Sequence, residues 1–285
     1  MDVLPYDFIL QTLQSLEASH KCHLTSLAGL WGGVGRVQDK YKVNFFIDVN
    51  PKTGRMAIRT YPPRDLSVFA MPEYHKYIAT KVIRIEPEIS MGSRTCNFSE
   101  LQTVLSRPLF TTTPQTLEIR NVHRKRTKID IAPVINAIFG NFSEIKLFNV
   151  KFFKREIHDL LKRILNFAPP LYLEILNSDI SEETFSLLAS NIKYFSGCTI
   201  VVSGCYHRFH ISHLHKIYDA WIDSSFEVLI RCSFPYGINS LPVLALRLGD
   251  DFRGGDPIVS NKLRRTNLMY SYEDGDLCIQ LEKHN

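Results

Sequence analysis

One strand-like segment returns along this chain at nearly constant spacing. "TLEIRNV" begins at Thr116, "EIKLFNV" at Glu144, "YLEILNS" at Tyr172, "TIVVSGC" at Thr199 and "EVLIRCS" at Glu227; the steps are 28, 28, 27 and 28 residues. Each segment alternates apolar with other side chains, the period-two pattern of a strand with one buried face. Leu117 and Ile119, Ile145 and Leu147, Leu173 and Ile175, Ile200 and Val202, and Val228 and Ile230 would share that face. Every strand but the last leads into helix-like sequence. "KREIHDLLKRIL" puts Ile157, Leu160, Leu161, Ile164 and Leu165 on one stripe,. "SEETFSLLASNIKYF" opens on Ser181 with an acid at Glu183, and places Phe185, Leu188, Ile192 and Phe195 inward,. "IDIAPVINAIF" and "ISHLHKIYDAWI" repeat the idea. An earlier unit, "KVIRIEPEI" followed by "FSELQTVLSRPLF", sits about 34 residues before the first segment.

A unit of about 28 residues cannot bury its own apolar face, so neighbouring units must stack. The expected fold class is α/β, a leucine-rich-repeat-like solenoid of about five to six strand–helix units. A doubly wound sheet also contains βαβ units, but it does not require equal spacing. Asn121, Asn149 and Asn177 recur 28 residues apart, and this ladder stops at Gly204 and Cys232. Hairpin signals flank the array. "VNFFIDVN-PKTG-RMAIRTYP" turns at Pro51 and Gly54, and "RTNLMYSY-EDGD-LCIQLEK" turns at Asp274-Gly275,. The second hairpin would close the end of the array. The expected boundaries are 1–40 for a helical segment, 41–80 for the first hairpin and connection, 81–235 for the array, and 236–285 for a loop and capping hairpin.

Composition sets limits on function. The 285 residues are 45% hydrophobic and 22% charged, which is ordinary for a globular chain and argues against long disorder,. A net charge of +5 permits an acidic partner without demanding one,. No stretch approaches the ~18 apolar residues of a membrane span, and "MDVLPYDFIL" lacks a basic leader region. The six cysteines, Cys22, Cys96, Cys198, Cys205, Cys232 and Cys278, are scattered without a CxxC pair. They read as reduced thiols of a cytoplasmic or nuclear protein.

Candidate chemistry is sparse. "LAGLWGGVGRV" is glycine-rich, yet Gly33-Val34-Gly35 is followed by Gln38 where a dinucleotide fingerprint needs glycine, and no Gly-Lys-Ser or Gly-Lys-Thr occurs,. Its glycines are expected to terminate a helix containing Leu27, Leu30 and Trp31. "CYHRFHISHLH" gathers Cys205, His207, His210, His213 and His215, but they straddle a loop and a helix start rather than converge as zinc ligands do,. His20, Cys22 and His23 read the same way. A metal-dependent function is the least favoured alternative, and no cofactor is expected. The acids of "GDDFRGGDP" do not have EF-hand spacing. The basic run "HRKRTK", His123 to Lys128, has no interleaved aromatic residues and so no stacking platform for nucleic acid,. It reads as a solvated loop, with nuclear import or contact with an acidic partner as alternatives.

"LPYDFILQTLQSL … HLTSLAGLWGGV" resembles the F-box pattern, a Leu-Pro pair before a helix and a Trp after a Leu-rich helix. The matching residues are Leu4, Pro5, Phe8, Leu13, Leu24, Leu27 and Trp31. The whole chain is similar to lineage-expanded F-box-like proteins with a degenerate leucine-rich array. It departs from the pattern after Trp31, where a further helix would follow. The resemblance implies docking of those residues on the linker subunit of a cullin–RING ubiquitin ligase, with the repeats presenting a protein substrate. The side chains of a concave sheet face, Glu118, Arg120, Lys146, Phe148, Tyr172, Glu174, Leu176, Val201, Leu229 and Arg231, are then the candidate partner contacts. Their mixture of charged and apolar groups suits a protein better than a small ligand. The expectation is a non-catalytic adaptor with no membrane or nucleic-acid partner; a repeat scaffold with a vestigial F-box is the alternative.

Overall fold

The repeated segments form adjacent parallel strands, in the order in which they occur in the chain. The structure is a computed structural model that describes residues 29, 31–34, 36, 43–63, 78–89, 95–106, 115–195, 197–205, 211–223, 227–233, 258–261, 266–273 and 276–283. Its strands are β1 (Val43–Asn50), β2 (Arg55–Tyr61), β3 (Ile78–Ile85), β4 (Gln115–Arg120), β5 (Phe142–Phe148), β6 (Tyr172–Leu176), β7 (Cys198–Ser203), β8 (Val228–Ser233), β9 (Ile258–Asn261), β10 (Thr266–Glu273) and β11 (Asp276–Lys283). The helices are α1 (Phe98–Leu105), α2 (Ala132–Ala137), α3 (Lys154–Phe167), α4 (Glu182–Asn191) and α5 (Ile211–Asp223). The fold is mixed α/β around an open sheet of order β2-β1-β3-β4-β5-β6-β7-β8-β11-β10-β9. From β3 to β8 every neighbour is parallel and the order never reverses, so the array lacks the switch point of a doubly wound sheet,. The last three strands are antiparallel, and β11 pairs with β8. The sequence foresees the β10–β11 hairpin but not β9, four residues long and paired with β10.

Alternation decides which side is core. Leu117, Ile119, Ile145, Leu147, Leu173, Ile175, Ile200, Val202 and Ile230 are all buried. Leu117, Ile145, Leu173, Ile200 and Ile230 stand opposite one another across the ladder. The helices supply the other half of this core, each of α1 to α4 packing on the next. In α3 the stripe Ile157, Leu160, Leu161 and Ile164 is buried as its spacing requires, while Leu165 is only half-buried,. α4 starts where Ser181 accepts a hydrogen bond from the Thr184 amide,. α1 has a full capping box, Asn97 and Glu100 bonding each other's backbone N–H,. α2 is a short helix with proline at its start, and the Asp130 carboxylate takes the Ala132 N–H at 3.0 Å,.

The Asn ladder has a backbone cause. Asn121, Asn149 and Asn177 leave their strands at φ 53°, 51° and 50°, the left-handed region that asparagine tolerates better than most residues,. There the amides of Asn121 and Asn149 reach the next strand, at the carbonyls of Phe148 and Leu176. Asn149 Nδ2 also donates to Asn121 Oδ1 at 3.2 Å. The ladder does not end at Gly204, as the side-chain pattern suggests. Gly204 has φ 65° and receives the same role, because glycine takes this conformation without a side chain,. The next residue in each unit is buried: Val122, Val150, Ser178 and Cys205. Ser178 Oγ donates to Leu147 O and Leu176 O, and Cys205 Sγ donates to the corresponding Ile175 O and Ser203 O. Cys205 therefore serves as the serine-like rung of its repeat.

The chain divides into two compact units, Met1–Phe46 with Arg59–Lys81, and Ile47–Ile58 with Val82–Asn285. The second holds the strand–helix array. Within the first, residues 31–34 are helical and Val34 is buried. Gly32 and Gly33 thus lie inside helical backbone rather than ending it, and Gly35 lies outside the described residues; Gly29, at φ 70°, is left-handed. In the same unit Thr80 Oγ1 donates to Asn44 Oδ1 at 2.9 Å, and the Arg59 guanidinium lies over the Phe46 ring at 4.6 Å.

Lys81, also in this unit, is buried, and burial lowers its pKa from 10.5 to about 7. The unfolded chain keeps that proton to higher pH than the folded one. Stability should therefore rise between pH 7 and about 9, by at most about 1.4 kcal/mol per pH unit. Lys81→Met should flatten this slope, as read from urea midpoints across the same range. An unchanged slope would mean that Lys81 stays charged.

Candidate protein-binding face

The side of the sheet opposite the helices carries three rows of side chains. The first runs Thr116, Glu144, Tyr172, Thr199 and Leu229. The second runs Arg84, Glu118, Lys146, Glu174, Val201 and Arg231. The third runs Arg120, Phe148, Leu176 and Ser203. All ten residues assigned to this face from sequence are on it. Each is half-buried except Phe148, which is 39% exposed. Arg84 and Glu144 complete the charge pattern and were missed by the sequence reading, because β3 is spaced more loosely and Glu144 heads its segment.

Along the second row the charge alternates from Arg84 through Glu174. Opposite charges directly across neighbouring strands each stabilise a sheet by about 0.2–1 kcal/mol. Lys146 Nζ lies 2.8 Å from Glu144 Oε2 and 5.7 Å from the centre of the Tyr172 ring. The hydrogen bond to Glu144 is the main reason its pKa is raised, and burial opposes it. Burial, then the charge and hydrogen bond of Glu174, push the Tyr172 phenol up. Arg120 Nε lies 3.5 Å from Glu118 Oε2. Arg84 donates at 2.8 Å to Asp48, whose side chain has no exposed surface. The charges on β3 to β6 are thus already matched within the face, while β6 to β8 add the apolar groups Leu176, Val201 and Leu229. Such a surface offers a partner mixed hydrogen bonding and apolar contact rather than a strong field.

The basic run emerges beside the third row. Arg124–Arg126 form a single 3₁₀ turn capped by His123, whose Nδ1 accepts from the Lys125 N–H. Phe152, from the next unit, stands against it. Its ring centre is 4.7 Å from that of His123, with Lys125 Nζ 5.0 Å from the centre of the same ring. The run, with no Phe, Tyr or Trp of its own, thus gains an aromatic neighbour from the next unit. Phe152 takes φ 65°, a conformation costing a bulky L-residue about 1 kcal/mol or more,. It is nevertheless 46% exposed. Arg124 pairs with Glu156 at 3.1 Å, and Lys151 with Asp179 at 3.6 Å.

Of the residues matching the F-box pattern, Leu4, Pro5, Phe8, Leu13, Leu24 and Leu27 lie outside the described residues. Trp31 is described and half-buried; its indole Nε1 is enclosed with no hydrogen-bond partner among the described residues. The histidine segment is described in part. His213 is buried, 3.1 Å from Ser186 Oγ by its Nε2, with its ring stacked on Phe185. His207 and His210, like His20, Cys22, His23 and the acidic loop of residues 249–257, lie outside the described residues. Among the described residues no three His, Cys, Asp or Glu side chains are grouped to hold a metal. Burial raises the thiol pKa of Cys205, and that of Cys198 to about 12, so both are poor nucleophiles at neutral pH,. No helix among the described residues is long and apolar enough to cross a membrane.

No family model matches the chain, and no curated protein and no solved structure matches it at a significant level.

Proposed function

We propose that this chain is a non-catalytic protein-interaction module, built as a leucine-rich-repeat-like solenoid and acting as a substrate-recruiting adaptor of a cullin–RING ubiquitin ligase. The observation that carries the interaction reading is the open sheet face. It spans consecutive parallel strands, and its ten sequence-assigned side chains stand in register as a mixed charged and apolar surface. The repeat architecture is supported by the unreversed strand order and by the left-handed residue at the end of each of four strands. The ligase role rests on the F-box-like residues Leu4, Pro5, Phe8, Leu13, Leu24, Leu27 and Trp31. The protein works without a cofactor, in the cytoplasm or nucleus.

In the second reading the chain is a repeat scaffold whose N-terminal helices serve only to cover apolar surface. The inward packing of Val34 and the enclosed Trp31 indole nitrogen favour it. Size-exclusion chromatography with purified linker subunit separates the two. The adaptor co-elutes with the subunit, and Phe8→Ala with Trp31→Ala abolishes co-elution while the circular-dichroism spectrum is unchanged. A chain that never co-elutes is a scaffold.

A further inference from the structure

The loop edge at the ends of β4 and β5 combines features that the open face lacks. We propose that it is a separate docking site for an acidic peptide segment carrying an apolar side chain. The site is centred on the exposed ring of Phe152, with Lys125 over it and His123 at its edge; Arg126 belongs to the same basic turn, and Lys128 follows two residues on. Arg126 and Lys128 are exposed and form no ion pair with any described acid. Lys125 is held over the Phe152 ring rather than against a carboxylate. Among the described residues these three cations thus have no counter-ion, although Arg124 and Lys151 nearby are matched by Glu156 and Asp179.

The backbone is committed to this arrangement. The Arg124 N–H donates to Lys151 O at 3.2 Å, and His123 bridges to Lys151, so the basic turn is fastened to the residue preceding Phe152. Asp179 accepts the Phe152 N–H at 3.2 Å, which holds the left-handed turn. A bulky aromatic residue kept exposed in a left-handed conformation does nothing for the core, and such outliers gather at binding sites. The chemistry that complements it is carboxylates for the cations and an apolar group for the ring edge. The face of Phe152 under Lys125 is closed to a stacking base, which favours a peptide over single-stranded nucleic acid. The site is distinct from the open face, and it holds whether or not the ligase reading does.

The test is fluorescence anisotropy on the full chain. The probes are a labelled peptide of aspartates and glutamates around one leucine, its Asn/Gln counterpart, and a single-stranded RNA of similar length. The acidic peptide should bind best and weaken as salt rises. Lys125→Glu with Arg126→Glu should weaken it about tenfold or more. Phe152→Gly should weaken it about fivefold while keeping or raising the melting temperature, because glycine removes the ring and relieves the left-handed backbone. Equal binding of the acidic and neutral peptides, tighter binding of RNA than of peptide, or unchanged affinity in both variants would overturn the proposal.

Discussion

Replacing Leu147 by alanine should cost about 2–5 kcal/mol of folding stability, whereas Phe148→Ala, one residue on, should cost under about 1 kcal/mol. The two side chains leave the same strand on opposite sides. Leu147 is fully buried in the inner row between Ile119 and Ile175, and its truncation opens a cavity that rigid neighbours on both sides cannot close,. Phe148 is 39% exposed and keeps much of its surface in water in the folded state. Urea unfolding of the two variants gives the comparison directly. Equal losses would mean that the sheet is covered on both faces, and the open face would not exist.

The second large effect is expected at Gly204. Gly204→Val should cost about 3 kcal/mol or more, from the left-handed backbone and from overpacking. A Cβ there would fall on the Asn177 carboxamide, which fills the space beside Gly204. Gly204→Asn should be milder, because asparagine tolerates this φ and, once the Asn177 carboxamide turns aside for the new Cβ, the two side chains can hydrogen-bond as those of Asn121 and Asn149 do,. Thermal unfolding separates the two variants. If valine and asparagine cost the same, the clash governs and the backbone role does not.

That pair also shows what the sequence reveals and what it conceals. The 28-residue recurrence and strand alternation identify the inner row in advance, because burial of one face leaves an unambiguous period-two signal. The Asn ladder is visible too, but its continuation at Gly204 is not, since two dissimilar residues satisfy one backbone requirement. Cys205 conceals its role in the same way: beside four histidines it resembles a ligand, and only its bonds to Ile175 O and Ser203 O show it to be the counterpart of Ser178.

The open face was legible because register follows once the inner row is fixed. Opposite Glu118 there is only one place for Lys146. Of the loop-edge site only the basic run, with contact with an acidic partner as one of its readings, was legible. Phe152 lies 29 residues after His123 in the sequence, and nothing local marks it as exposed, left-handed or in contact with the basic turn. The helix through Trp31 was misjudged for a different reason. Glycine has a low intrinsic helix propensity, yet tertiary packing of Val34 outweighs it across so short a stretch,.

The most direct test is quantitative affinity capture with the intact chain and with a Glu118→Ala, Lys146→Ala, Glu174→Ala variant of matched melting temperature. An adaptor with a partner-binding face should capture ligase subunits with both proteins and a further set of proteins with the wild type alone. The same captured set from both proteins, without ligase subunits, would contradict it.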